Sequence, residues 1–149
     1  MTQSRSSSPD VLSSVPDAGP TAQPRAEDVV AFPDGLPGFE SCHGFVLASA
    51  GDRPVSVLQA VEPPHPSFLV IDPAVVMSGY RKILSRPDRL RLQAAADDAM
   101  LWLAVVTLGP DGTASVNLRA PIVINPRTMI GFQVMPHQSL YPLRHPITL

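Results

Sequence analysis

Apolar residues recur along this chain in short runs that turn-forming residues separate. The runs have the length of β-strands and are rich in branched side chains. They predict strands at residues 29–32, 44–48, 55–61, 67–72, 100–108, 113–118, 121–125 and 129–135. The later runs follow one another at a spacing of about 8–12 residues, which is typical of an antiparallel sandwich or barrel. We therefore predict an all-β, predominantly antiparallel, barrel-like fold.

Three segments between the strands have other patterns. Asp72 before Pro73 fits an N-cap and a first helical position, so a short helix is predicted over residues 73–79. Residues 89–93, Arg-Leu-Arg-Leu-Gln, alternate with period two and predict a strand with one buried face. Asp97 and Asp98 are predicted to begin a turn or a single helical turn. The fold should thus contain one or two short helices.

Residues 32–40 read Phe-Pro-Asp-Gly-Leu-Pro-Gly-Phe-Glu and predict a compact double turn. Its prolines hold φ near about −65°, and its glycines can take positive φ. Three bulky apolar side chains lie between them: Phe32, Leu36 and Phe39. Because loops are usually polar, these side chains either fill the core or face a partner.

Length and composition indicate one domain. The chain has 149 residues, of which 44% are hydrophobic and 18 are proline, about twice the usual share. Residues 1–25 are rich in Ser, Pro, Thr, Gln, Ala and Asp, and they are predicted to be a disordered tail. Residues 26–149 are predicted to form a single domain.

Charge argues against a nucleic-acid partner. The net charge is −2, Lys82 is the single lysine among 11 basic residues, and aromatic residues make up 5% of the chain. Phosphate binding needs a basic patch, and single-stranded nucleic acid needs aromatic platforms. One cysteine fits a reducing compartment, and neither a signal peptide nor a bilayer-spanning run is recognisable. We therefore predict a cytoplasmic protein with no membrane partner.

The residues offer no specific catalytic, cofactor or metal site. The histidines, none of them at metal-ligand spacing, are His43, His65, His137 and His145. Cys42 and His43 do not suggest a nucleophile and its base, because adjacent residues of an extended segment point to opposite faces. One alternative stays open: a small β-barrel that binds a small ligand or acts as a hydrolase through His65, Asp72 and His145.

Two segments are candidates for binding. Residues 117–125 bracket an apolar strand with an asparagine at each end. Residues 141–147 carry an aromatic, two aliphatic side chains and a cation, and their prolines exclude a helix. The second segment is either an exposed recognition strip or a seal on the end of the barrel.

Several motifs in one order resemble the flagellar assembly factor FliW family. They occupy residues 27–40, 58–59, 68–73, 117–125, 131–134 and 141–146. The resemblance implies a β-rich, barrel-like, non-enzymatic protein without a cofactor. It implies two partners, the RNA-binding translational repressor CsrA and flagellin, between which the protein switches. Binding to CsrA would end its silencing of flagellin mRNA, and flagellin would compete for the regulator.

The resemblance also suggests where partners bind. Phe32 and Phe39 are expected inside the domain, because the double turn becomes a fixed corner between two strands. The predicted partner-binding residues flank the matched strands or lie at the tip of the turn: Leu36, Asn117, Arg119, Asn125, Tyr141, Arg144 and His145.

The sequence departs from the family pattern at three places. Residues 21–25 lack the usual first strand, and Ala60 stands where serine is common. The family is commonly acidic around residues 84–99, where this chain has Arg86, Arg89 and Arg91. If acids there help to bind basic CsrA, the affinity or the partner should differ.

Overall fold

The computed structural model describes residues 28–136 and 139–148. The predicted disordered tail, residues 1–25, therefore lies outside the described residues. So do residues 21–25, which are predicted to lack the usual first strand of the family. The strands are β1 (Val30–Ala31), β2 (Gly44–Ser49), β3 (Val55–Ala60), β4 (Ser67–Ile71), β5 (Leu101–Leu108), β6 (Ala114–Val116), β7 (Ile122–Asn125), β8 (Ile130–Gln133) and β9 (His145–Ile147). The helices are α1 (Pro73–Val76) and α2 (Arg86–Arg91), and one 3-10 turn covers Pro110–Gly112.

Seven of the strands form a closed ring. They follow one another in the order β4, β3, β2, β1, β8, β7 and β5, and β5 then pairs with β4 through Val70 and Val105. All neighbours are antiparallel except β1 and β8, which are parallel. The predicted all-β, predominantly antiparallel, barrel-like fold with one or two short helices is confirmed.

Strand β5 is longer than its neighbours and leaves the ring at one end. Val106 pairs with Leu69 of β4 on one edge and with Val116 of β6 on the other. Farther along, Leu103 pairs with Ile122 of β7, and residues 117–121 bulge out between β6 and β7. β6 pairs with β9 rather than with β8. The end of β5, β6 and β9 thus form a three-stranded extension beyond the barrel.

Apolar side chains form two cores. One fills the barrel, with residues from around the ring: Phe32, Phe45, Leu58, Val70, Leu103 and Ile122. The other lies outside the barrel, where residues 77–94 cover β5, β7 and β8: Tyr80, Leu92, Trp102, Val116, Val123 and Phe132. Full burial of one such side chain stabilises the fold by about 1.5–3 kcal/mol. The second core explains why strands β5 and β7 are apolar on both faces.

The strand predicted at residues 89–93 is wrong, because α2 lies there instead. Ser85 caps this helix by accepting a hydrogen bond from the Asp88 N–H at 3.2 Å, and a proline occupies its first turn. Leu92 is fully buried, but Leu90 is 69% exposed. The alternation of arginine and leucine at residues 89–92 therefore does not mark one buried face of a strand. The helix predicted over residues 73–79 is present and ends at Val76, with Asp72 accepting from the Ala74 N–H at 2.9 Å.

The double turn places all three of its apolar side chains toward the barrel. Phe32 is fully buried, and Phe39 packs edge-on against Phe68 with ring centroids 5.8 Å apart. Leu36, predicted as a possible partner contact at the tip of the turn, is only 2% exposed. Gly35 has φ of 63°, and a Cβ there would lie 2.6 Å from the Phe39 carbonyl oxygen. This tight reversal turns Leu36 inward.

Candidate functional site

A groove with a volume of about 780 Å³ lies between the barrel and the extension. Val105 and Ile122, which belong to the barrel core, form its deep end. Thr107, Ser115 and Pro146 continue it along the extension. Because Thr107 pairs with Ser115 and Ser115 with Pro146, these three side chains share one face. The groove thus continues the inner face of the barrel along the extension, where it is open to solvent.

Among the described residues that line the groove, Arg144 is the single charged one. Its side chain is exposed, and within residues 28–136 and 139–148 it makes neither a salt bridge nor a side-chain hydrogen bond. Leu143 beside it is 50% exposed and also lines the groove. One rim of the groove therefore presents a cation next to an apolar side chain.

Gln133 contributes an unpaired acceptor to the groove lining. Its Nε2 donates to the Ala120 carbonyl oxygen at 3.0 Å, which fixes the orientation of the amide, since the flipped amide would bring two oxygens together. Its Oε1 is buried and has no hydrogen-bond partner among the described residues. Such an acceptor costs about 1–3 kcal/mol when it stays unpaired. Because this oxygen is shielded from solvent, it lies beneath the surface of the groove rather than at it.

The bulge at residues 117–121 shapes the wall of the groove. Asn117 Oδ1 accepts hydrogen bonds from the Arg119 and Ala120 N–H groups at 3.0 and 3.1 Å. The Arg119 Nε donates to the Tyr141 carbonyl oxygen at 2.9 Å. Both side chains thus hold the local backbone, although Asn117 also lines the groove.

The C-terminal segment, residues 141–147, packs on the domain at both ends, and its middle residues are exposed. Tyr141 stacks on Tyr80 with centroids 4.5 Å apart, and its hydroxyl accepts from the Arg81 N–H at 2.9 Å. At the other end, His145 is partly buried in β9 and pairs with Val116. Tyr141 thus packs on the outer core, while residues 143–144 are exposed and line the groove, so their role in recognition stays a prediction.

Tyr80 ties this segment to the outer core. Its hydroxyl donates to the Leu118 carbonyl oxygen at 2.7 Å, and the Leu118 N–H donates to the Pro142 carbonyl oxygen at 3.0 Å. Burial, with a smaller effect from Tyr141, raises the pKa of Tyr80 to about 12. The phenol is therefore neutral at physiological pH and acts as a structural donor.

Asn125 lies at the other end of β7 and is fully buried. Its Nδ2 donates to the Leu92 carbonyl oxygen at 3.0 Å and to Asp98 Oδ2 at 3.2 Å. Its Oδ1 accepts from the Arg127 N–H at 3.0 Å. All of its hydrogen-bonding atoms are therefore used within the domain, and its side chain is not available at the surface.

Asp98 completes the network around Asn125. Its pKa is lowered from its ordinary value of 3.8, first by the Ala95 N–H that donates to it and then by hydrogen bonds from Arg127 and Asn125, against the opposing effect of burial. The ionised carboxylate thus holds the corner that follows α2.

The structure brings together three of the seven predicted contact residues. Leu36, Asn117 and Arg144 line the groove, and only Arg144 offers an exposed, uncommitted side chain. Sequence reasoning missed a further polar residue of the groove lining, Gln133. It lies in the quoted motif at residues 131–134, but only the pairing of β7 with β8 places it there.

Two residues of the hydrolase alternative, His65 and Asp72, do not converge. His65 and Asp72 flank opposite ends of β4, whose five residues span about 16 Å at 3.3 Å per residue. Asp72 caps α1 and also pairs with Lys82 at 3.1 Å. Among the described residues, no group of three or more His, Cys, Asp or Glu side chains could hold a metal ion.

Two of the three arginines that replace the expected acids are used internally. Arg91 pairs with Asp88 at 2.8 Å and with Asp34 at 3.4 Å, and its guanidinium lies 4.2 Å from the centroid of the Phe132 ring. Arg89 donates to the Ala95 carbonyl oxygen at 3.0 Å. The guanidinium groups of Arg89 and Arg91 are therefore already partly engaged by groups of the same domain.

The fold and the groove define a small closed β-barrel with a lateral extension. A family model described as FliW protein matches residues 20–147. The chain is 36% identical to the flagellar assembly factor FliW of Syntrophotalea carbinolica, over 81% of this chain and 87% of the relative. The corresponding protein of Clostridium botulinum is 34% identical, over 81% and 86%.

A solved structure agrees with these relatives. The crystal structure of the flagellar assembly factor FliW superposes with a TM-score of 0.78 at 30% identity, covering 84% of this chain and 89% of that one. The chain therefore belongs to the FliW family of flagellar assembly factors, which is not a known family of enzymes. Within the part of the chain that the structure describes, no helix is long and apolar enough to cross a membrane.

Proposed function

We propose that this protein is a non-enzymatic regulator that binds a CsrA-type translational repressor and flagellin in turn. Flagellin and the repressor would compete for it in the cytoplasm, where mRNA is translated and flagellin is made. The protein without flagellin would remove the repressor from flagellin mRNA. With flagellin bound, it would act as a chaperone. The observation that carries the proposal is membership in the family of flagellar assembly factors.

The groove supports a protein partner. Its wall combines apolar side chains with hydrogen-bonding groups and a single cation, Arg144. Desolvated apolar pockets with arginine at their edge are typical of the energetic centres of protein interfaces. The separation of His65 from Asp72 along β4 gives no comparable support to a hydrolase.

The test is a pull-down of purified CsrA and flagellin from the same organism, each with the full chain. We expect both to bind, and we expect flagellin to displace CsrA. Arg144→Glu should weaken binding of at least one of them without a change in the thermal melt. Arg53→Glu, a reversal at an exposed position outside the groove lining, is the matched control. Binding of neither protein would overturn the proposal.

We also propose that residues 26–149 form a single domain. The family match supports this, although it begins at residue 20 rather than at residue 26. A fragment of residues 26–149 should melt cooperatively at the temperature of the full chain. A clearly lower melting temperature would place the boundary earlier.

A further inference from the structure

The groove has the chemistry of a site for a short peptide segment. Resting on the proposed function, we infer that it binds a short segment of a partner protein that carries an acidic side chain close to an apolar one. The acid pairs with Arg144, and the apolar side chain packs on Phe68 and Val105.

The positive charge of the groove predicts a negatively charged partner segment. No carboxylate lies among the residues that line the groove, and Arg144 has no ion partner within the described residues. A guanidinium beside an apolar surface binds a carboxylate through two parallel hydrogen bonds. A basic segment would instead bring a second cation to a groove with no anion to balance it.

Size decides the length of the occupant. A volume of about 780 Å³ lies within the range of about 300–1,000 Å³ typical of sites for small ligands. It holds a few side chains rather than the face of a folded domain. The rest of the partner must lie outside the groove.

The test is an array of overlapping synthetic peptides from the flagellin and CsrA of the same organism, probed with the full chain. We expect the bound peptides to share an acidic residue within two positions of an apolar one. Replacing that acid by lysine should weaken binding at least about tenfold, as expected for loss of a charge-assisted pair. With Arg144→Glu the preference should reverse in favour of the lysine peptide, while Arg53→Glu should behave like the natural chain.

One further measurement tests the groove itself. Thr107→Trp should fill the groove and abolish peptide binding while the thermal melt is retained. Equal binding of acidic and lysine peptides, or unchanged binding to Thr107→Trp, would overturn the inference.

The outcomes separate this inference from the proposed function. If intact CsrA or flagellin binds Thr107→Trp and Arg144→Glu as well as it binds the natural chain, the groove is not the site and the proposed function stands. If neither intact protein binds the natural chain, the proposed function itself falls.

Discussion

Gly131 lies directly against the ring of Phe32. A Cβ on Gly131 would lie 2.6 Å from the Phe32 Cζ and 2.9 Å from its Cε2, closer than carbon atoms approach without displacement. Gly131 belongs to β8, whereas Phe32 opens the double turn and is fully buried. Glycine in this strand therefore makes room for the aromatic ring that fills the barrel.

Gly131→Ala should destabilise the protein by about 1–3 kcal/mol, because the added methyl group forces the Phe32 ring out of its position. The free energy of unfolding in urea measures this loss. Phe32→Leu should also destabilise, by leaving a cavity, but the double variant should lose less than the sum of the two single losses. Simple additivity would show that the two residues are not coupled.

Tyr80 should make the fold sensitive to alkali. Its pKa is about 12 in the folded state and 10.0 in the unfolded chain, so between these values the unfolded state releases a proton that the folded state keeps. Its contribution to stability is complete below pH 10 and is lost as the pH rises toward 12. The free energy of unfolding measured across this range should fall more steeply for the natural chain than for Tyr80→Phe.

At neutral pH, Tyr80→Phe should cost about 1 kcal/mol, because the Leu118 carbonyl oxygen loses its hydrogen-bond donor. Parallel alkaline curves for the two proteins would contradict the burial of the phenol as the cause.

Asp98 should stabilise the fold only while it is ionised. Because its folded pKa lies below the ordinary value of 3.8, its contribution is present above that pH and is lost as the pH falls through the folded pKa. Asp98→Asn should lower the free energy of unfolding at neutral pH, and the difference should shrink in acid. The neighbouring Asp97→Asn, at an exposed position, is the control and should have little effect at either pH.

Asn125→Ala should destabilise the protein by about 1–3 kcal/mol, because it leaves the buried Leu92 carbonyl oxygen and the Arg127 N–H with fewer partners. Where the variant is folded, its affinity for CsrA and flagellin should equal that of the natural chain. A loss of affinity without a loss of stability would restore Asn125 as a contact residue.

The strands were predictable because their signal is local. Residues 55–61 and 100–108 carry enough branched apolar residues to be recognised without knowledge of their neighbours, and β3 and β5 lie there. The strand predicted at residues 89–93 failed because Leu90 lies on the exposed helix α2, whereas Leu92 follows the end of that helix and is fully buried. The capping by Ser85 was the signal that could have corrected it.

The groove was less predictable because its residues come from distant parts of the chain. Arg144 was predicted as a partner-binding cation in a proline-containing segment, but Gln133 and Thr107 have no local feature that separates them from ordinary strand residues. The burial of Leu36 and Asn125 was not predicted for the same reason, since burial depends on what folds over a residue.

The sequence by itself determined the class of fold, the double turn and the family, because periodicity, turn residues and ordered motifs are all properties of neighbouring positions. The tertiary structure alone decided that β5 divides its partners between a barrel and an extension. The groove arises from that division: Gln133 approaches it through β8 and Arg144 through the segment before β9. Such proximity depends on the pairing of β7 with β8 and of β6 with β9, and no local pattern encodes it.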